Sequence, residues 1–390
     1  MNELALLFLL LPVAALSGWI LGRRGSERSS GARVSELSTS YFRGLNYLLN
    51  EQQDKAIEVF LKLAEINRDT IETHLALGNL FRRRGEVDRA IRVHQHLIAR
   101  PNLSQDEKTI AMLELGEDYM RAGLLDRAET LFIDLVKMGA LVPSALRHLI
   151  SIYQHERDWS KAIEHARHLE QATGESQGAI IAQFHCELAE QARVHGTPEE
   201  ARACVADAFA AQPDCVRASM IEGHIEKAAG RLDAAIRAFE RVAELDVDYV
   251  PEILSPLLDC YAHTQRMQRA EEFLLDITER YPGVSPVLAL AKLYATTRGE
   301  AAAVEFLNRI LRQRPSVRAL MALIDVSLHT ASGEARENFL TLRELTRKLL
   351  EGKAMYRCNQ CGFGAKAHHW QCPSCKSWGS VRPIHGVVGE

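Results

Sequence analysis

Apolar residues recur at helical spacing along most of the chain, and the small ones among them keep a longer beat. An alanine holds one register in Ala56, Ala90, Ala128, Ala162, Ala201, Ala235, Ala270 and Ala303, at steps of 34, 38, 34, 39, 34, 35 and 33 residues. Twelve residues before four of these stand Gly44, Gly78, Gly116 and Gly223; nine before stand Tyr47, Phe81, Tyr119, Tyr153, Tyr261 and Tyr294. Four residues after come Phe60, Phe132 and Phe239, and twelve after come Pro213, Pro282 and Pro315. Such a period predicts a pair of helices per copy. Small residues are expected where the two helices touch backbone to backbone, aromatics between pairs, and proline where the second helix stops. The fifth copy has Ala189 and Ala192 in place of glycine and an aromatic, so its packing should differ. Extra residues near 101–108 and 171–178 are expected to form longer loops.

A helix-turn-helix period of 34 residues is the pattern of the tetratricopeptide repeat. It predicts an all-α superhelical solenoid over residues 36–350, about eight to nine repeats, with a concave face built mainly from first helices. Such faces bind peptides and proteins. Asn79 and Arg83, Glu117 and Arg121, and Ser151 and His155 take equivalent i, i+4 places on successive first helices and are candidate protein contacts. The alternative for them, and for the run Arg82–Arg84, is a solvated helical face.

Both ends depart from this beat. Leu4 to Gly22 carries no charge, and its 19 residues would span about 28 Å as a helix, near the hydrocarbon thickness of a bilayer. No basic residue precedes it and Arg23 and Arg24 follow, which favours an uncleaved single-pass transmembrane anchor (1–24) over a signal peptide, with the body on the cytoplasmic side. Residues 25–35 read as a tether.

At the other end, Cys358, Cys361, Cys372 and Cys375 form C-x2-C-x10-C-x2-C within a segment, 352–390, that has too little apolar surface for a core of its own. Two knuckles of two thiolates each predict a rubredoxin-like or zinc-ribbon domain holding one tetrahedral iron or zinc ion, a choice the sulfur ligands leave open. Gly362 is expected at positive φ in the first knuckle, His368 and His369 as loop residues, and Trp370 and Trp378 as covers of the site. The short connection after residue 350 suggests that this domain docks on the concave face.

Composition narrows the classes. A net charge of -4 gives no general drive toward nucleic acid. Cys186, Cys204, Cys215 and Cys260 are scattered through helical sequence and read as small apolar residues rather than a disulfide framework. With no phosphate-binding glycine loop and no H-E-x-x-H, the enzyme alternative is a redox protein using iron at the four cysteines.

From end to end the chain resembles the lipopolysaccharide assembly protein B family of Gram-negative bacteria. The likeness lies in LFLLLPVAALSGWILGRR at the start, LGNLFRRRGEVDRAIRVHQ in the second repeat, and YRCNQCGF with WQCPSCKSW at the end. The resemblance implies a non-enzymatic inner-membrane regulator whose body faces the cytoplasm. In that family it is an adaptor through which the membrane protease FtsH degrades the lipid A pathway deacetylase, and it meets lipopolysaccharide synthesis and transport proteins. The metal ligands carry over onto Cys358, Cys361, Cys372 and Cys375; no partner contact does. A homo-oligomer, and a general envelope-assembly scaffold without a proteolytic role, stay open.

Overall fold

A computed structural model describes residues 39–47, 49–50, 52–66 and 71–390; the expected anchor and tether lie outside them. Among the described residues no helix is long and apolar enough to cross a membrane. They divide into two compact units, one reaching to Asp158 with Gln171–Gly174, the other formed by Trp159–Glu170 and Glu175–Glu390.

Helices follow one another in pairs. In the first unit these are residues 39–47 with Gln53–Ile66, Ile71–Arg84 with Val87–Ile98, Gln105–Arg121 with Leu125–Lys137, and Val142–Glu156; the next helix, Trp159–Thr173, lies mostly in the second unit. In the second come Gly178–His195 with Pro198–Ala211, Val216–Ala228 with Leu232–Leu245, Val250–His263 with Met267–Arg280, Ser285–Thr297 with Glu300–Gln313, and Val317–Thr330 with Gly333–Leu350.

The repeated glycine has a more specific reason than backbone contact. A Cβ on Gly44, Gly116 or Gly223 would stand 2.8, 2.5 or 2.5 Å from the ring of Phe60, Phe132 or Phe239. Glycine is thus the seat of an aromatic ring from the second helix, and each ring is fully buried. In the second pair the ring is His94, seated on Gly78 in the phenylalanine register. It is fully buried, with Nδ1 2.5 Å from Asp118. Asp118 also receives Arg82 Nη1 at 2.8 Å, and the same guanidinium reaches Glu114 at 2.6 Å and Glu117 at 2.8 Å. Arg82 is therefore not part of a solvated run; it neutralises carboxylates around a histidine where other repeats hold an apolar ring.

Tyrosines between pairs act as clips. Tyr119 accepts a bond from Gln95 at 2.9 Å, and Tyr261 donates to Glu240 at 2.5 Å, both partners lying five residues past the register alanine. In the fifth pair the glycine and phenylalanine places hold Ala189 and Val205, within a buried cluster of small side chains that includes Ala182, Cys186 and Ala201. Of the two inserted stretches, the first gives the longer connection expected, residues 99–104, and the second does not, leaving only 174–177 between helices. Ser104 and Glu107 close a capping box that starts a 17-residue helix at Gln105, and Trp159–Thr173 and Gly178–His195 absorb the other insertion.

The C-terminal domain is a three-stranded antiparallel sheet, β1 (Tyr356–Cys358), β2 (Gly364–Ala365) and β3 (Val381–Pro383), in the order β2-β1-β3. Tyr356 lies opposite both Ala365 and Pro383. Its buried cluster is five residues, Tyr356, Cys358, Ala365, Cys372 and Val381, far too few to hold it folded without help.

Candidate metal centre and its seat on the repeats

Each knuckle turns tightly. Cys358 N–H donates to Phe363 and Gly362 N–H to Cys358, while Cys372 N–H donates to Ser377 and Lys376 N–H to Cys372. The residue after the second cysteine takes positive φ in both, 76° at Gly362 and 61° at Lys376, so the chain can fold back past sulfur. The four Sγ atoms lie within 4.8 Å of one another. Cys358 and Cys375, and Cys361 and Cys372, are 3.7 Å apart. A tetrahedron with metal–sulfur bonds of about 2.3 Å has edges of about 3.8 Å, so the donor set fits one ion with no rearrangement.

The surroundings favour thiolate. The Ser380 hydroxyl 3.3 Å away, then the N–H groups of Cys361 and Gln360, bring Cys358 down to about 6. Ser377 lowers Cys375, while burial pushes Cys372 up to about 11. An ion would replace that last proton. His368 and His369 are not among the clustered ligand atoms.

Within the second unit the domain is fastened to the repeats by a row of aromatic and charged contacts. Trp370 stacks on Tyr249 with centroids 4.9 Å apart and planes 11° from parallel. His368 sits edge-on to Tyr249, Tyr356 and Trp370, and burial holds its pKa down at about 4. Trp378 meets Trp159 and Phe184 edge-on at 6.2 and 6.1 Å. The tryptophans expected to cover the metal thus make their ring contacts with the repeats.

Between them lies Arg217, 5% exposed, its guanidinium 5.4 Å from the Trp370 ring and 5.7 Å from a Trp378 ring. Glu187 fixes it at 2.8 Å. Arg382 binds Asp246 at 2.5 Å and lies 4.8 Å from the Tyr249 ring. Tyr356 donates to Glu252. Glu390 takes the N–H and hydroxyl of Ser285 at 3.0 and 2.6 Å and pairs with Arg318 at 2.5 Å, a carboxylate on a helix N-terminus.

Arg217, Glu252, Ser285 and Arg318 all lie in the first turns of consecutive first helices, so the domain docks along the row of those helix starts. None of these partners was singled out from sequence. Each is an ordinary charged or polar residue at a helix start, and only the fold brings it opposite an aromatic or an opposite charge.

Residues 356–383 match the family described as rubredoxin metal binding domain, and residues 73–106, 113–176, 186–246 and 227–293 match tetratricopeptide repeat families. Across nearly the whole chain, 38% of 387 residues are identical to lipopolysaccharide assembly protein B of Escherichia coli (strain K12), covering 99% of this chain and 100% of that one. The chain belongs to the lipopolysaccharide assembly protein B family. The Haemophilus influenzae protein of the same name is 35% identical over 388 residues, covering 97% of this chain and 98% of its own. Among solved structures, the C-terminal part of a repeat protein from Cytophaga hutchinsonii is 14% identical with a TM-score of 0.40, covering 73% of this chain and 99% of that one.

In this member of the lipopolysaccharide assembly protein B family, Arg83, Arg121, Ser151 and His155 are exposed on first helices. Asn79 is half-buried with Oδ1 lacking a partner. Glu117 is committed to Arg82 and, at 3.2 Å, to His148, which together with burial-resisting hydrogen bonding keeps its carboxyl below the usual range.

Proposed function

We propose that this chain is a non-enzymatic adaptor of lipopolysaccharide assembly. Anchored in the inner membrane by residues 1–24 with its body in the cytoplasm, it presents the lipid A pathway deacetylase to the protease FtsH. It also gathers lipopolysaccharide synthesis and transport proteins. Holding two partners on one tethered scaffold raises their effective concentration for each other. The names of the relatives support the pathway. The observation that carries the adaptor reading is the seating of a four-cysteine domain across the first turns of consecutive first helices, which would couple those helix starts to a bound ion.

Cys358, Cys361, Cys372 and Cys375 would hold that ion. When bound, zinc supplies a fold-stabilising tetrahedral centre and iron would add one-electron chemistry. Client contacts are assigned to the exposed Arg83, Arg121, Ser151 and His155. The test is the half-life of the deacetylase in host cells depleted of this protein. Depletion should lengthen it, and a complementing copy carrying Cys372→Ser and Cys375→Ser at normal abundance should fail to shorten it again. An unchanged half-life on depletion would reject the proteolytic role.

A further inference from the structure

Among the described residues outside the four-cysteine centre, one other pair of thiols is in contact. Cys186, on the helix Gly178–His195, and Cys215, the residue before the helix Val216–Ala228, have Sγ atoms 3.9 Å apart, both buried. Nothing in the adaptor reading uses them. Their surroundings differ from those of an inert core cysteine in three respects.

Cys215 is the N-cap residue of the helix Val216–Ala228; its sulfur makes no capping hydrogen bond, but it stands beside the unpaired N–H groups of the first turn. The neighbouring Cys186 thiol first, and these donors after it, draw Cys215 down to about 7. Cys186 remains the protonated partner, held up by that contact and by burial. The cover over the pair is also specific. Arg217 acts electrostatically on both sulfurs and Tyr249 feels the charge of Cys215. These two residues are the ones that carry Trp370 of the four-cysteine domain.

We propose that Cys186 and Cys215 form a latent redox site, a dithiol kept reduced beneath the seat of the metal domain and open to oxidation by hydroperoxides once that domain lifts. The Cys215 thiolate would attack the peroxide, breaking the O–O bond and releasing hydroxide, to leave a sulfenic acid. Cys186 sulfur then attacks the Cys215 sulfur, the S–O bond breaks, and the leaving hydroxide takes the Cys186 proton as water. Two thiols lose two electrons and two protons, and one hydrogen peroxide becomes two waters. The sulfurs need to close from 3.9 Å to about 2.0 Å. The chain would thereby record loss of its metal domain as a covalent link in the repeats.

The test uses the full metal-loaded chain in a Cys204→Ser background, because Cys204 and Cys215 share the tryptic peptide 203–217. Hydrogen peroxide is added, remaining thiols are alkylated, and mass spectrometry follows a peptide joining Cys186 to Cys215. A second chain carries Trp370→Ala and Trp378→Ala, with folding of the repeats checked by circular dichroism. The linked peptide should form in both, about tenfold faster in the tryptophan variant if local opening controls access. Absence of the link in both chains, or its formation at equal rates in the two, would overturn the proposal. Adding Cys186→Ser must abolish the linked peptide; a link that persisted would belong to other thiols and would equally overturn it.

Discussion

Arg217 concentrates the docking chemistry in one side chain. It is almost fully buried, paired with Glu187 and placed against two tryptophans that belong to another domain. Removing one partner of a buried ion pair leaves the other charged and unpaired, which costs about 3–5 kcal/mol in a closed site. Since Glu187 keeps some exposure, Arg217→Ala should cost less, about 2 kcal/mol, read as lost hydrogen-exchange protection over residues 356–383. Arg217→Lys should restore only part of it, because a compact ammonium lacks the planar surface that stacks on indole. His368 adds a pH dependence of definite sign. Its folded pKa, about 4, lies below the ordinary 6.5, so the unfolded or undocked chain binds the extra proton. The docked state is therefore at full strength above pH 6.5 and weakens as pH falls toward 4, by up to about 3 kcal/mol. Comparing protection of residues 356–383 at pH 7 and pH 5 with that of His368→Phe checks this: the variant should retain only the loss due to thiolate protonation.

At the scale of elements, the pairing of a small residue with a ring sets the geometry of each repeat. Gly116→Ala would drive a methyl to 2.5 Å from the Phe132 ring. Overpacking of this kind costs about 1–3 kcal/mol, read as a lower melting temperature. The fifth repeat shows the natural compensation, alanine with valine at the same two registers in Ala189 and Val205. Gly116→Ala combined with Phe132→Val should accordingly be more stable than the sum of the two single changes, a coupling that a double-mutant cycle measures. The repeat was legible in the sequence because the register alanine recurs in eight copies, whereas the glycine stands in four of them and the phenylalanine in three. What was not legible is what a single position does when it breaks the pattern. His94 occupies a phenylalanine register, and only the fold reveals that Asp118 and Arg82 close around it. The loop expected from the insertion is there as residues 99–104, and Ser104 with Glu107 sets where it ends and the next helix begins.

For the whole molecule, the four cysteines were legible because ligand spacing is a local property, whereas the docking face was not, because its partners lie far away in sequence, most of them by more than a hundred residues. Tyr356 meets Glu252 and Glu390 meets Ser285 across separations of 104 and 105 residues. The architecture nevertheless assigns the two parts different dependence on the ion. The core of the second unit, with Phe239, Tyr261, Leu274 and Leu307 fully buried, is made by the repeats themselves. The C-terminal domain has a buried apolar cluster of five residues and no such reserve. Cys372→Ser with Cys375→Ser, or removal of the ion by a chelator, should leave the helical circular dichroism nearly unchanged while protection over residues 356–383 disappears. Exchange should also rise in the first turns at 216–219, 250–253 and 285–288, which lose Trp370, Tyr356 and Glu390 as covers. Loss of helical signal in parallel with the metal would instead mean that the domain is a structural part of the repeat core, since a face that is merely covered cannot take the solenoid with it when the cover leaves.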